Sequence, residues 1–134
     1  MYWMLALMVI ANDQISAQPT EQDVVVTGVR VDPFRSALDT CISNKCSVEE
    51  DIGATLKLAE ALFINHRYQD ARIVLRASLK RNRAHAKAYP ELISGLHRAT
   101  GVMVRHLGLD REGINSARDV LRTIQLGIPK EDHR

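Results

Sequence analysis

Ala54 to Asn82 reads ATLKLAEALFINHRYQDARIVLRASLKRN, and its pattern decides the fold. Ile52, Leu56, Ala59 and Phe63 form one helical row, with Thr55, Leu58 and Leu62 beside it. Such spacing puts a broad apolar stripe on one face of a helix. Asn65-His66-Arg67 interrupts the stripe as a short polar elbow. Ala71, Val74, Leu75, Ser78 and Leu79 then mark the inner face of a second helix. The stretch is therefore an antiparallel helical hairpin.

Its start is equally legible. Ser47-Val48-Glu49-Glu50 has the form of a capping box, and Glu49, Glu50 and Asp51 complement the helix dipole while forming an acidic pole. The first helix of the pair is expected to run to about Ile64. Upstream, Asp32-Pro33 offers an N-cap and a first helical residue. Phe34, Ala37, Leu38, Cys41 and Ile42 follow as a stripe, which Ser43, Asn44 and Lys45 end.

Downstream, Arg83 to Tyr89 is a polar, basic connection, and Pro90 opens another helix. Leu92, Leu96, Ala99, Met103 and Leu107 form its row, and Gly108 is its left-handed C-cap. Asp110 is the expected cap of a last helix with Ile114, Ala117, Leu121 and Ile124 as its inner stripe. Gly127 and Pro129 terminate it. The expected fold class is all-α, about five helices in antiparallel hairpins over residues 33–128, with a tail over 129–134. Aromatics are 4% of the chain, so the core must be aliphatic.

The hairpin resembles a tetratricopeptide repeat, a helix–turn–helix unit of about 34 residues. Leu58-Ala59 and Leu62 match the large–small–large positions of its first helix. Tyr68 matches the elbow aromatic, Ala71 the small residue three later, and Leu75 and Ser78 the bulky and small positions of the second helix. Thr55 stands where an aromatic is usual and Arg83 where a proline is usual. The last hairpin, with Ala117 46 residues after Ala71, is a degenerate or capping unit. The layout is also similar to short exported alphaproteobacterial proteins with such repeats, with a Cys pair before the Asp51–Ala61 run. The resemblance implies peptide or protein binding on the first-helix side, where the register places Lys57, Glu60 and Ile64. The family's carboxylate clamp lacks its Lys and Asn set here, and Glu60 opposes an anion.

Met1 to Gln18 carries an apolar run, Trp3 to Ala11, too short to span a bilayer. With Ala17 at a possible cleavage point, residues 1–17 read as a secretory signal peptide; the alternative is an N-terminal helix packed into the core. Residues 18–32 are an extended linker rich in β-branched residues at Val24–Val26, Val29 and Val31. DVVVTGVR within it resembles the segment that opens the plug of TonB-dependent outer-membrane receptors; a strand added to a partner's sheet edge is the other use of such a run. An exported chain places Cys41 and Cys46 in an oxidising compartment, where they are expected to form a disulfide worth about 2 kcal/mol. A metal pair would require two further ligands, a redox pair is more often CxxC, and free buried thiols fit the cytoplasmic alternative.

The rest of the sequence narrows the function classes. His66, His85, His97, His106 and His133 form no HxxxH or HExxH pair, and no nucleophile motif, carboxylate dyad or phosphate loop is present. No catalysis, cofactor or metal is expected. Arg72, Arg76 and Lys80 recur every four residues on what reads as the outer face of the second hairpin helix, continued by Arg83 and Lys87. This basic patch reads as a solvated face or as a docking surface for something acidic. A net charge of +2 and the lack of aromatics within the patch disfavour nucleic acid. The expected function is an exported interaction module or scaffold of a Gram-negative envelope, periplasmic or secreted. It has no transmembrane anchor in the mature chain, an unidentified protein or peptide partner, and the option of self-association through the last hairpin. The competing reading is a cytoplasmic regulatory or nucleic-acid-binding protein that uses the basic helix 69–87.

Overall fold

The computed structural model describes residues 28–129. The leader, the tail beyond Pro129 and all but the last residues of the extended linker lie outside them. Five α-helices follow in order: α1 (Asp32–Ser43), α2 (Val48–Ile64), α3 (Tyr68–Asn82), α4 (Pro90–His106) and α5 (Asp110–Gly127). A 3-10 turn, Arg83–His85, sits in what the sequence reads as a plain polar connection. The described residues contain no strand.

Each helix packs on the next, and α2 also meets α4. The core lies along this seam. Ile52, Leu58 and Leu62 of α2, Ala71 and Leu75 of α3, and Ile93 and Leu96 of α4 are almost wholly buried. Burying a large aliphatic side chain is worth about 1.5–3 kcal/mol, so these residues dominate the stability. Ala59, Ala71 and Ser78 let the helix backbones approach between them. Only Leu38 of α1 is fully buried; Ile42 is exposed and Phe34 and Cys41 are half-buried, because among the described residues α1 packs mainly on α2.

The helix ends follow their local chemistry. Ser47 caps α2 as expected: its Oγ accepts from the Glu50 N–H, and Glu50 accepts from the Ser47 N–H. Three helices end in the same way. Lys45 (φ 49°), His66 (φ 58°) and Gly108 (φ 72°) are left-handed. In each case the next N–H reaches back to a carbonyl in the last turn: Cys46 to Cys41, Arg67 to Leu62, Leu109 to Val104. These paired bonds satisfy carbonyls the helix would otherwise leave open.

Two expected caps move by one residue. Val31, whose backbone is already helical, precedes α1, and its carbonyl accepts from Phe34 and Arg35; Asp32 is the first helical residue and caps nothing. The turn through Gly108 likewise brings the chain directly into α5, so Leu109 holds the cap position and Asp110 begins the helix. Before α1 the chain is tethered rather than paired. The Asn65 side-chain amide at the end of α2 donates to the carbonyl of Val29, 2.6 Å away. Cys41 and Cys46 lie at disulfide distance, with Cα atoms 5.0 Å apart.

Candidate functional site

Asp51 does not join an exposed acidic pole. It is buried between α2 and α3, where the Arg81 guanidinium grips it through two 2.8 Å bonds. Thr55 and Ser78 donate to the same carboxylate oxygen, and Asn82 donates to Ser78. Burial pushes the Asp51 carboxyl up, but the hydrogen bonds from Arg81 and Ser78, the nearby Asn82 amide and the charge of Arg81 outweigh it, leaving its pKa below the usual value. Thr55, where the repeat pattern favours an aromatic, is thus explained: it is wholly buried and serves this carboxylate. No fully buried side-chain nitrogen or oxygen among the described residues lacks a hydrogen-bond partner, so the network reads as a structural lock.

The last hairpin is assembled differently. Gly113, Ser116, Val120, Thr123 and Gly127 form the face of α5 that meets α4. A methyl group on Gly101 would lie 3.4 Å from the Ser116 Cβ, and one on Gly113 would lie 3.6 Å from the Arg105 side chain. A methyl on Gly127 would collide with Pro90. The two helices meet through small residues.

The consequence corrects the sequence expectation for α5. Ile114, Ala117, Leu121 and Ile124 do not face inward: all four are exposed, Ile114 at 56% and Leu121 at 64%. Each stands one position after a member of the small-residue row. A shift of one residue turns a helix face by about 100°. The small row lets α5 lie close against α4, and nothing follows α5 among the described residues to cover the large row.

This placement of α5 also engages the basic row of α3. Arg72 is not free on an outer face; it chelates Glu112 of α5 at 2.6–3.0 Å, and its side chain is only 15% exposed. The Arg72 hydrogen bond holds the Glu112 carboxyl below the usual range. Arg76 approaches Glu112 at 3.8 Å. Arg76, Lys80 and Arg83 line a cleft of about 540 Å³ between α3, α4 and α5, opposite Glu112 and Asp119. Lys87 lies in the connection and does not line it. His97 sits at the cleft floor; burial pushes its pKa down, and the Asp119 carboxylate 4.0 Å away opposes this only in part. The cleft offers a mixed-charge surface around the half-buried His97 imidazole.

Lys57, Glu60 and Ile64 share the exposed side of α2. Of the three, only Lys57 lines the cavity of about 630 Å³ between α1 and α2, beside Phe34, Cys41 and Glu50. The sequence reading missed a cluster at the elbow. The Tyr68 ring stacks on His106 at 4.6 Å, Phe63 meets both edge-on or tilted, and His66 Nδ1 bonds the Tyr68 hydroxyl at 2.8 Å. No group of three His, Cys, Asp or Glu side chains among the described residues is arranged to hold a metal. No described helix is long and apolar enough to cross a membrane.

No family model matches this chain, and no curated protein or solved structure shows significant similarity to it.

Proposed function

We propose that this chain is an exported, non-catalytic protein-interaction module built from tetratricopeptide-like hairpins, acting in the cell envelope. The observation that carries the reading is the uncovered apolar row of α5. Ile114, Leu121 and Ile124 on this row are each at least 41% exposed, and Leu126 and Ile128 are exposed near its end. Stacked-hairpin proteins normally end in a unit with a polar outer face, and a contiguous apolar face marks a surface that another molecule covers.

Three further features support it. The α2–α3 hairpin with Ala71 wholly buried in it fits the repeat pattern, and the added contact of α2 with α4 fits stacking of successive units. The Cys41–Cys46 pair at disulfide distance is compatible with an oxidising compartment. The apolar leader supplies a route there.

Mass spectrometry of the purified native protein tests export. The expected chain begins after Ala17 and is lighter by two hydrogen atoms through oxidation of Cys41 and Cys46. An intact Met1 with two free thiols would sink the exported reading and return the basic helix 69–87 to consideration as a cytoplasmic regulatory surface. Affinity capture from an envelope extract tests binding: one stoichiometric protein partner is expected, and none at any salt concentration would defeat the interaction reading.

A further inference from the structure

Ile114, Ala117, Leu121 and Ile124 recur at steps of three, four and three along α5. These are the a and d positions of a heptad, the spacing by which one helix packs along another. The first two members of the row, Ile114 and Ala117, line a cleft of about 510 Å³ between α4 and α5, and Leu121 and Ile124 continue the row beyond it. Gly101, Gly113 and Val120 form its floor, and the absence of side chains at the two glycines opens room for a visitor's side chains.

Cations edge this apolar seam on both sides. Arg98 and Arg105, one heptad apart, rim the cleft from α4. Arg118 occupies the e position on the solvent side of the α5 row. All three are exposed, and none forms an ion pair among the described residues. Asp110, at the start of α5, is the one carboxylate lining this cleft. Flanking charges set which helix an apolar seam accepts.

We propose that the α4–α5 groove receives an amphipathic helix of a partner protein, one with leucine or isoleucine at a and d spacing and aspartate or glutamate along its flanks. The proposal rests on the interaction-module reading and specifies the partner's chemistry. Charge separates this occupant from a second copy of the chain. Two copies joined through this seam would bring two arginine-edged rims together as water is excluded, whereas an acidic-flanked helix pairs with both rims.

Two synthetic helical peptides test it. They share one leucine–isoleucine seam and carry either glutamate or lysine at every flanking position. Binding to the oxidised full chain is read by fluorescence anisotropy. The glutamate peptide is expected to bind about tenfold or more tightly than the lysine peptide, less so as salt rises. Leu121→Glu should abolish binding while leaving the circular dichroism spectrum unchanged, since this side chain is mostly in solvent. The combined Arg98→Glu, Arg105→Glu and Arg118→Glu variant should reverse the preference. Equal affinity for both peptides, no binding of either, or binding that survives Leu121→Glu would overturn the proposal. A dimer detected by sedimentation that Leu121→Glu dissolves would assign the face to a second copy and overturn it as well. If Leu121→Glu still captures the wild-type partner from an envelope extract, the interaction module stands and only this groove is wrong.

Discussion

The α2–α3 hairpin and the α4–α5 hairpin solve the same packing problem in opposite ways. In the first, large residues fill the seam: Leu58, Leu62 and Leu75 are wholly buried, and small residues only relieve crowding between them. A charged lock, Asp51 with Arg81, then fixes the register. In the second, glycine and serine with Val120 and Thr123 form the α5 side of the seam, and Ile114, Leu121 and Ile124 look outward. The difference teaches that apolar periodicity names a stripe but not what covers it. A helix can carry two parallel stripes, one for its own fold and one for something else.

The strongest way to break this contrast is a matched pair of truncations. Leu75→Ala should cost about 2–5 kcal/mol, since it empties a fully enclosed site. Leu121→Ala, the same chemical change on α5, should shift the chain's stability by less than about 0.5 kcal/mol. Equal losses in urea unfolding would show that α5 buries its large face after all.

The lock comes next. Asp51→Ala should cost about 2–4 kcal/mol, because Ser78 and Thr55 lose a buried acceptor and Arg81 loses its counter-charge. The lower half of that range is favoured by the exposure of the Arg81 side chain, 31%, which lets water reach it. Thermal unfolding of the variant measures this directly.

Overpacking sharpens the comparison on the other side. Ala71→Leu should destabilise by about 1–3 kcal/mol, since Ala71 has no exposed surface and a larger side chain has no room. Gly101→Leu should act in the same range by pushing Ser116 and α5 away from α4. If only the first variant is destabilised, the α4–α5 approach is looser than described.

The smallest expected effect is a pH dependence that belongs mostly to the second hairpin at first. His97 has a lowered pKa, so its stabilising contribution is full above the unfolded value near 6.5 and declines as pH falls below it. Asp51 and Glu112 are also lowered, and their contributions fade only as pH falls below the unfolded carboxylate range near 4. Denaturation midpoints measured from pH 8 to pH 3 should therefore decline in two stages. His97→Gln should remove the first stage and leave the second.

Much of the fold was legible. The α2 start at Ser47, the elbow at Asn65-His66-Arg67 and the glycine stop at Gly108 each rest on local chemistry that sequence displays. The face of α5 was not, because Ile114 and Leu121 are hydrophobic enough to look internal while Gly113 and Ser116 look like breaks in a stripe. Arg81 was hidden for another reason. It lies among several arginines and lysines, and only the three-dimensional position of Asp51 selects it. The row at Arg72 looked solvated because its partner, Glu112, is forty residues away.

The turn that closes α1 has a consequence for how the chain comes apart. Lys45 is exposed and lies between Cys41 and Cys46, which the backbone also joins through the Cys46 N–H and the Cys41 carbonyl. A trypsin cut after Lys45 therefore severs the polypeptide without releasing anything. Under oxidising conditions the nicked protein gains the mass of one water and keeps α1 in place; with reductant and denaturant, the same sample separates into two pieces.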